Sequence, residues 1–340
     1  MSTPRRYRGA VPRVVILGLG ALIGTNMAPA SAATPIAAPS TWRLSSTTVS
    51  AFNAVSCASN RFCVAVGSST GTDYSVTYNG ASWGPAQTAE QYQGEMESVS
   101  CPVDGWCAAI TDLAAVTVFE HGHWSKLATV DPNPGPPYPG MVAAISCTSP
   151  RFCVAVDGQG RAETFDGTAW SKPRLVDPDY PLNDVSCAGR GECAAVDGHG
   201  RVAVLMGQQW SVPQAVDGTA LAGVSCASAA SCAAVDLLGR ALVERDGKWS
   251  APVAIDQVAA SPLSVSCPSP GTCVAVDGNG SERALSFGHW TAPHMVDSGG
   301  SLVGISCVPR PQLFCAAADG SGGVLTTATA AAGREPSGGQ

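Results

Sequence analysis

Residues 144–156 carry two short, almost wholly apolar runs, Ala144 to Cys147 and Phe152 to Val156, around the polar turn Thr148-Ser149-Pro150-Arg151. Asp157-Gly158-Gln159-Gly160 follows, and then an alternating stretch, Arg161-Ala162-Glu163-Thr164-Phe165. Short unbroken apolar runs are strands packed on both faces, and alternation is a strand with one wetter face. Asp-Gly-x-Gly is hairpin chemistry. The stretch closes with Gly167, Trp170, Ser171, Pro173 and Val176-Asp177. Its pattern predicts four short strands and no helix.

The same pattern recurs along the chain. Its first cysteines are Cys57, Cys101, Cys147, Cys187, Cys226, Cys267 and Cys307, at spacings of 44, 46, 40, 39, 41 and 40 residues. A period near 40 points to a propeller or a solenoid. Each of the first six repeats carries a tryptophan: Trp83, Trp124, Trp170, Trp210, Trp249 and Trp290. The seventh repeat has none after Cys307, whereas Trp42 stands alone ahead of the first repeat. The N-terminal stretch therefore supplies the last strand of the last repeat. An open solenoid has no reason to split a repeat in this way, but a ring does, because closure removes exposed sheet edges. The expectation is an all-β fold: a seven-bladed β-propeller of four-stranded antiparallel blades, closed by an N-terminal strand. Pro173, Pro213, Pro252 and Pro293 follow their tryptophans by three residues, which places strand four at an outer edge. The repeated tryptophans are expected to pack between blades, each burial worth a few kcal/mol.

Composition changes this picture at two points. Arg5, Arg6, Arg8 and Arg13, the apolar stretch Val14 to Ile23 and Ala30-Ser31-Ala32 form a signal peptide over 1–32, cleaved near Ala32. The remainder divides into a linker at 33–40, the propeller at 41–328 and a tail at 329–340. Cleavage takes four arginines and no acid, so a formal charge of −7 becomes −11. An acidic, secreted or cell-envelope protein is a poor partner for nucleic acid, and no later stretch is long and apolar enough for a transmembrane segment. The second point is the 14 cysteines, two in every repeat. In an exported chain they read as disulfides within each repeat: Cys57 with Cys63, Cys101 with Cys107, Cys147 with Cys153, Cys187 with Cys193, Cys226 with Cys232, Cys267 with Cys273 and Cys307 with Cys315. The five histidines are not placed for a metal site, and no cofactor motif is present.

The turn Phe165-Asp166-Gly167-Thr168-Ala169-Trp170, with Arg245-Asp246-Gly247-Lys248-Trp249, resembles part of the Asp-box of sialidase-like propellers. The Ser-x-Asp that opens such a box is absent, and Asn79, His121, Met206 and Phe287 stand where the aspartate would be. The stapled Ser-Cys repeat resembles that of exported bacterial propellers. Both resemblances imply fold, not activity.

Function is sought in residues that break the repeat, because a residue present in every blade is scaffold. The propeller strand order puts the turns between strands two and three on one face with the blade-to-blade crossings. Asp157, Asp197, Asp236, Asp277 and Asp319 end strand two there, and Asp131, Asp177, Asp217, Asp256 and Asp297 end strand four. They form either a ring of negative field or a set of turn-forming aspartates. Arg161, Arg201 and Arg240 are expected to pair with them as structural salt bridges. The first three crossings carry single tyrosines: Tyr92 beside Glu95 and Glu97, Tyr138 after Asp131, and Tyr180 after Asp177. Stacking rings beside fixed polar groups suit a glycan or peptide site. Trp106, the one tryptophan outside the repeat position, reads as either a contact residue or a lid on its own disulfide, the lid being preferred. The expected role is a monomeric binding module for an extracellular glycan or peptide on the crossing face. The alternatives are a glycan hydrolase or lyase, and a structural cell-envelope protein.

Overall fold

The computed structural model describes residues 41–46, 49–69, 71–89, 94–130, 144–256, 262–309 and 312–327. The expected signal peptide, linker and tail, with Tyr92, Asp131 and Tyr138, lie outside these residues. The described chain is all-β and forms seven antiparallel blades of the propeller type. Blade 3 is typical: Ala144–Ser149, Phe152–Val156, Arg161–Phe165 and Arg174–Leu175 pair in that order. Blade 7 comprises Leu302–Val308, Phe314–Asp319 and Gly323–Thr327, and its fourth strand is Trp42–Ser46. Trp42 pairs with Thr327 and Ser46 with Gly323, so the two ends of the chain close one sheet.

Each disulfide joins the end of strand one to the start of strand two. In blade 3, Cys147 stands directly opposite Cys153, and a bulge after Cys147 tightens the turn. All seven bridges lie within blades, and no cysteine is free. Closing so short a loop contributes about 2–3 kcal/mol per bridge on the chain-entropy account. Seven such bridges point to an oxidising compartment.

The serine before each first cysteine has its explanation at the inner edge of the ring. Strand one has no further strand on its axial side, which leaves N–H groups unpaired. Each serine hydroxyl accepts the N–H of the next blade's first cysteine. Ser56 serves Cys101, Ser100 serves Cys147, Ser146 serves Cys187 and Ser186 serves Cys226, all at 2.9 Å. Ser225 serves Cys267, Ser266 serves Cys307, and Ser306 returns to Cys57 at the same distance. Seven equivalent hydrogen bonds run once around the axis.

The residue after the tryptophan solves a similar problem at the outer edge. Ser211 Oγ accepts the Val204 N–H at 3.0 Å while its own N–H donates to the Val204 carbonyl. Ser125, Ser171, Ser250 and Thr291 do the same in their blades. The hydroxyl stands in for a carbonyl, strand four bulges away, and in blades 3 to 6 the proline that follows loses no ladder bond.

The core is seven cores, one per blade interface. Blades 1 and 2, for example, share Val64, Val66, Met96, Val99 and Phe119, with Trp124 packed against them. Every interface holds the tryptophan of one blade, including Trp42 between blades 6 and 7 and Trp83 between blades 7 and 1. Trp106 departs from the lid expected of it. It packs forward onto blade 3, against the cluster that holds Cys147, Cys153, Phe165 and Trp170. Its strand carries an apolar side chain into the next interface, as Phe62 and Phe152 do at the same position.

Candidate functional site at the crossing face

The recurrent aspartates form turns. Asp157 Oδ1 accepts the N–H groups of Gln159 and Arg161 at 2.9 and 3.0 Å. Asp197, Asp236 and Asp277 repeat this geometry with His199 and Arg201, Leu238 and Arg240, and Asn279 and Ser281. Their second oxygens meet arginine. Arg161 binds Asp157 at 2.6 Å. Arg201 bridges Asp197 of its own blade and Asp177 of the blade before. Arg240 bridges Asp236 and Asp217 in the same way. In blade 6 a serine, Ser281, replaces the arginine at the turn, and Arg283 two residues on reaches back to Asp277 and Asp256 at 2.7 and 3.0 Å. Positions i and i+2 of a strand share a face, which permits the exchange. The aspartate side chains are buried; Arg283 is only 2% exposed, whereas Arg161, Arg201 and Arg240 keep 15, 17 and 26% of their side chains in solvent. Through Asp177, Asp217 and Asp256 the arginines of blades 4, 5 and 6 sew neighbouring blades together, whereas Asp297 at the end of blade 6 meets no arginine among the described residues.

Two of the sequence candidates fall within this network. Asp177 is fully buried; it accepts the Asp179 and Tyr180 N–H groups and pairs with Arg201. Tyr180 stacks in parallel on His199 at 4.3 Å, with the Arg201 guanidinium 4.4 Å from its centroid. Much of its stacking surface is thus already covered.

Glu95 and Glu97 are placed differently. Glu97 lies at the start of strand one of blade 2, Met96–Val103, on the axial rim. Asp73 of blade 1 fixes the adjacent backbone by accepting the Met96 N–H and the Ser68 hydroxyl. Asp112, in the turn between strands two and three of blade 2, accepts the Glu95 N–H at 2.8 Å. Glu97 accepts no hydrogen bond from the described residues. Burial first, then the charges of Asp112, Glu95 and Asp73, push its carboxyl up to about 7. The folded value lies above the ordinary 4.5, so the ionised form is the disfavoured one in the fold. Stability therefore falls as pH rises through this window. Between about pH 5 and 8 the wild type is expected to lose on the order of 1–2 kcal/mol relative to Glu97→Gln, after discounting for solvent at the rim. Urea melts of both proteins at several pH values check this.

Asp184, not among the candidates the sequence offers, also breaks the repeat on an innermost strand. Burial pushes its carboxyl up to about 7 against hydrogen bonds from Val224 and Val185. Ser98 and Ser264 occupy the same position in blades 2 and 6, each accepting an N–H of the next blade. Asp184 fills a serine slot, and its oxygens are used structurally. Asn53 and Asn183, one position earlier, donate to the Met96 and Leu221 carbonyls. Glu97 is the homologous residue in blade 2, and among these three it is the one with no such bond.

No family model matches this sequence, and neither does any curated protein. Solved structures do. A structure described as YCF48 bound to D1 peptide is 15% identical, with a TM-score of 0.66 over 87% of this chain and 99% of that one. The WD40 propeller domain of Doa1 is 8% identical, with a TM-score of 0.66 over 87% and 98%. YCF48 from Cyanidioschyzon merolae is 14% identical, with a TM-score of 0.63 over 84% and 98%. At such identities the likeness is one of fold, and it is not specific to sialidase-like propellers. Consistent with that, the Asp-box-like turn keeps its side-chain geometry only in part. Asp166 binds Thr168 and Ala169, and Asn79 binds Ala81 and Ser82.

Proposed function

We propose that this chain is an exported binding module that recognises an extracellular polypeptide at the rim of the crossing face, around Glu97. The observation that carries the reading is Glu97 itself: a half-buried carboxylate that interrupts the repeat, accepts no hydrogen bond from the described residues and lies among Glu95, Asp112 and Asp73. A negative rim of this kind attracts a basic segment. Tyr92, Tyr138 and Asp131, expected on the same face, would extend the contact. A peptide-bound propeller among the structural neighbours supports polypeptide over glycan. Seven disulfides support an extracellular setting, and no helix among the described residues is long and apolar enough to cross a membrane.

The enzymatic alternative has one point in its favour. A carboxyl titrating near neutral pH suits a general acid. Glycoside hydrolysis ordinarily needs a second carboxyl; Asp184, Asp112 and Asp73 are engaged by hydrogen bonds, which leaves Glu95 as the partner this alternative would use. The peptide-bound structural neighbour is what favours binding.

Screening the purified protein on peptide and glycan arrays tests it. Basic peptides are expected to bind, with affinity rising about five-fold from pH 6 to 8 as Glu97 ionises, a gain near 1 kcal/mol. Glu97→Gln should flatten that dependence. Glycan binding with no response to basic peptides would overturn the polypeptide reading, and turnover of any glycan would favour the hydrolase or lyase.

A further inference from the structure

Four of the seven blade interfaces share an apolar plug near the opposite face, the one that carries the disulfide loops, and at two more Ser231 and Thr272 take the first position. The residue before the second cysteine of one blade meets the strand-three residue that stands opposite the second cysteine of the next. Phe62 packs on Phe119 at 6.2 Å, and Phe314 stacks on Tyr78 at 5.6 Å. Trp106 joins the cluster with Phe165, and Phe152 the cluster with Leu205. Between blades 4 and 5 both partners are acids. Glu192 takes the first position, and Glu244, opposite Cys232, takes the second. A cavity of about 290 Å³ opens where the plug would be, and both glutamates line it.

The Glu244 side chain is 5% exposed. Its Oε1 accepts the Gly247 N–H, while Oε2 is buried and has no hydrogen-bond partner among the described residues. Leaving a buried carboxylate oxygen unpaired is costly, so this position is built to receive a donor. Trp249 and Val216 line the walls, with Val204 and Met206 at the opening, the latter 71% exposed. No lysine, arginine or histidine is among the lining residues. The combination of an apolar sleeve, an indole and two carboxylates fits a cation on an aliphatic stem. Only one oxygen of Glu244 is left without a partner among the described residues, which suits the point charge of an ammonium over the two-pronged guanidinium.

We propose that the cleft between blades 4 and 5 is a lysine pocket: it takes a lysine side chain of a partner polypeptide, with Glu244 Oε2 and Glu192 receiving the ammonium. The site lies on the face away from Glu97 and does not depend on the reading given there.

The test is an NMR titration of the ¹⁵N-labelled chain with the end-blocked pentapeptide Gly-Gly-Lys-Gly-Gly, read at the Gly247 amide and the Trp249 indole N–H. Saturable shifts are expected, with Kd on the order of 1 mM. The Nε-acetylated peptide and Glu244→Leu should each weaken binding about ten-fold or more. Leucine already occupies this position as Leu205 and Leu285 in the flanking blades. The variant should therefore melt no lower than the wild type, and Glu244→Gln provides a second check if it does. Equal binding of the acetylated peptide, or retained binding by both variants, would overturn the pocket. Butylamine binding as tightly as the peptide would overturn the polypeptide partner. Silence of both reporters in every titration would mean the cavity holds only water, and would overturn the proposal outright.

Discussion

Removing the strand Trp42–Ser46 should lower the melting temperature of the protein by roughly 10 °C or more. The strand is a small part of the chain, yet it is a whole edge of blade 7. Its five cross-strand pairs cover Gly323–Thr327, and its tryptophan packs on the interface that contains Leu302, Ile305 and Leu325. Burial of one tryptophan accounts for about 2–3 kcal/mol, and the lost ladder and loosened interface bring the total to about 5 kcal/mol. In a chain of this size each kcal/mol moves the transition by about 2–4 °C. The truncated protein should also self-associate, because an uncovered strand edge is a template for pairing. Calorimetry and gel filtration of the two proteins check both effects. An unchanged transition would contradict closure by this strand.

The second large effect belongs to Arg283. Its guanidinium is buried, paired with Asp277 and Asp256, and donates from Nε to the Ile255 carbonyl at 2.6 Å. Arg283→Met keeps the stem and removes the charge, leaving two buried carboxylates without their cation. Breaking a buried pair in this way costs about 3–5 kcal/mol. Arg240→Met should cost less, because its side chain is 26% exposed and water can take over. Adding Asp256→Asn and Asp277→Asn to Arg283→Met should recover much of the loss, because the uncompensated charges go with it. Equal destabilisation by the Arg283 and Arg240 variants in denaturant melts would refute this ranking.

These residues also show what a one-dimensional reading can hold. The period, the pairing of cysteines and the displaced Trp42 were legible because each is a matter of counting within the chain. Arg161, Arg201 and Arg240 were legible as partners of aspartate, four residues away in the same hairpin. Arg283 was not, because it performs the same task from a shifted position. The serine before each cysteine was visible as a repeat, but its purpose was hidden. Its acceptor role is played to a residue 40 to 47 positions distant, or 249 for Ser306, across a blade interface that the sequence does not display. The resemblance to Asp-box propellers rested on one turn, which fixes hairpin shape and carries little about the family. Tyr180 looked like a free ring in a loop and is instead stacked on His199. Glu97, read from the sequence as part of a crossing, lies instead on strand one of blade 2. Glu192 and Glu244 were not legible, because each is unremarkable in its own blade. Their meaning appears only when position is matched with position across two different blades.

One property of the closing sheet reaches beyond stability. Trp42 stands opposite Thr327 as Trp210 stands opposite Leu205, and in blade 4 four residues suffice to connect that pair. A four-residue tether could therefore make the chain an endless loop, and a cut at another blade's equivalent turn would leave the same architecture under a circular permutation. The wheel has no physical origin of its own.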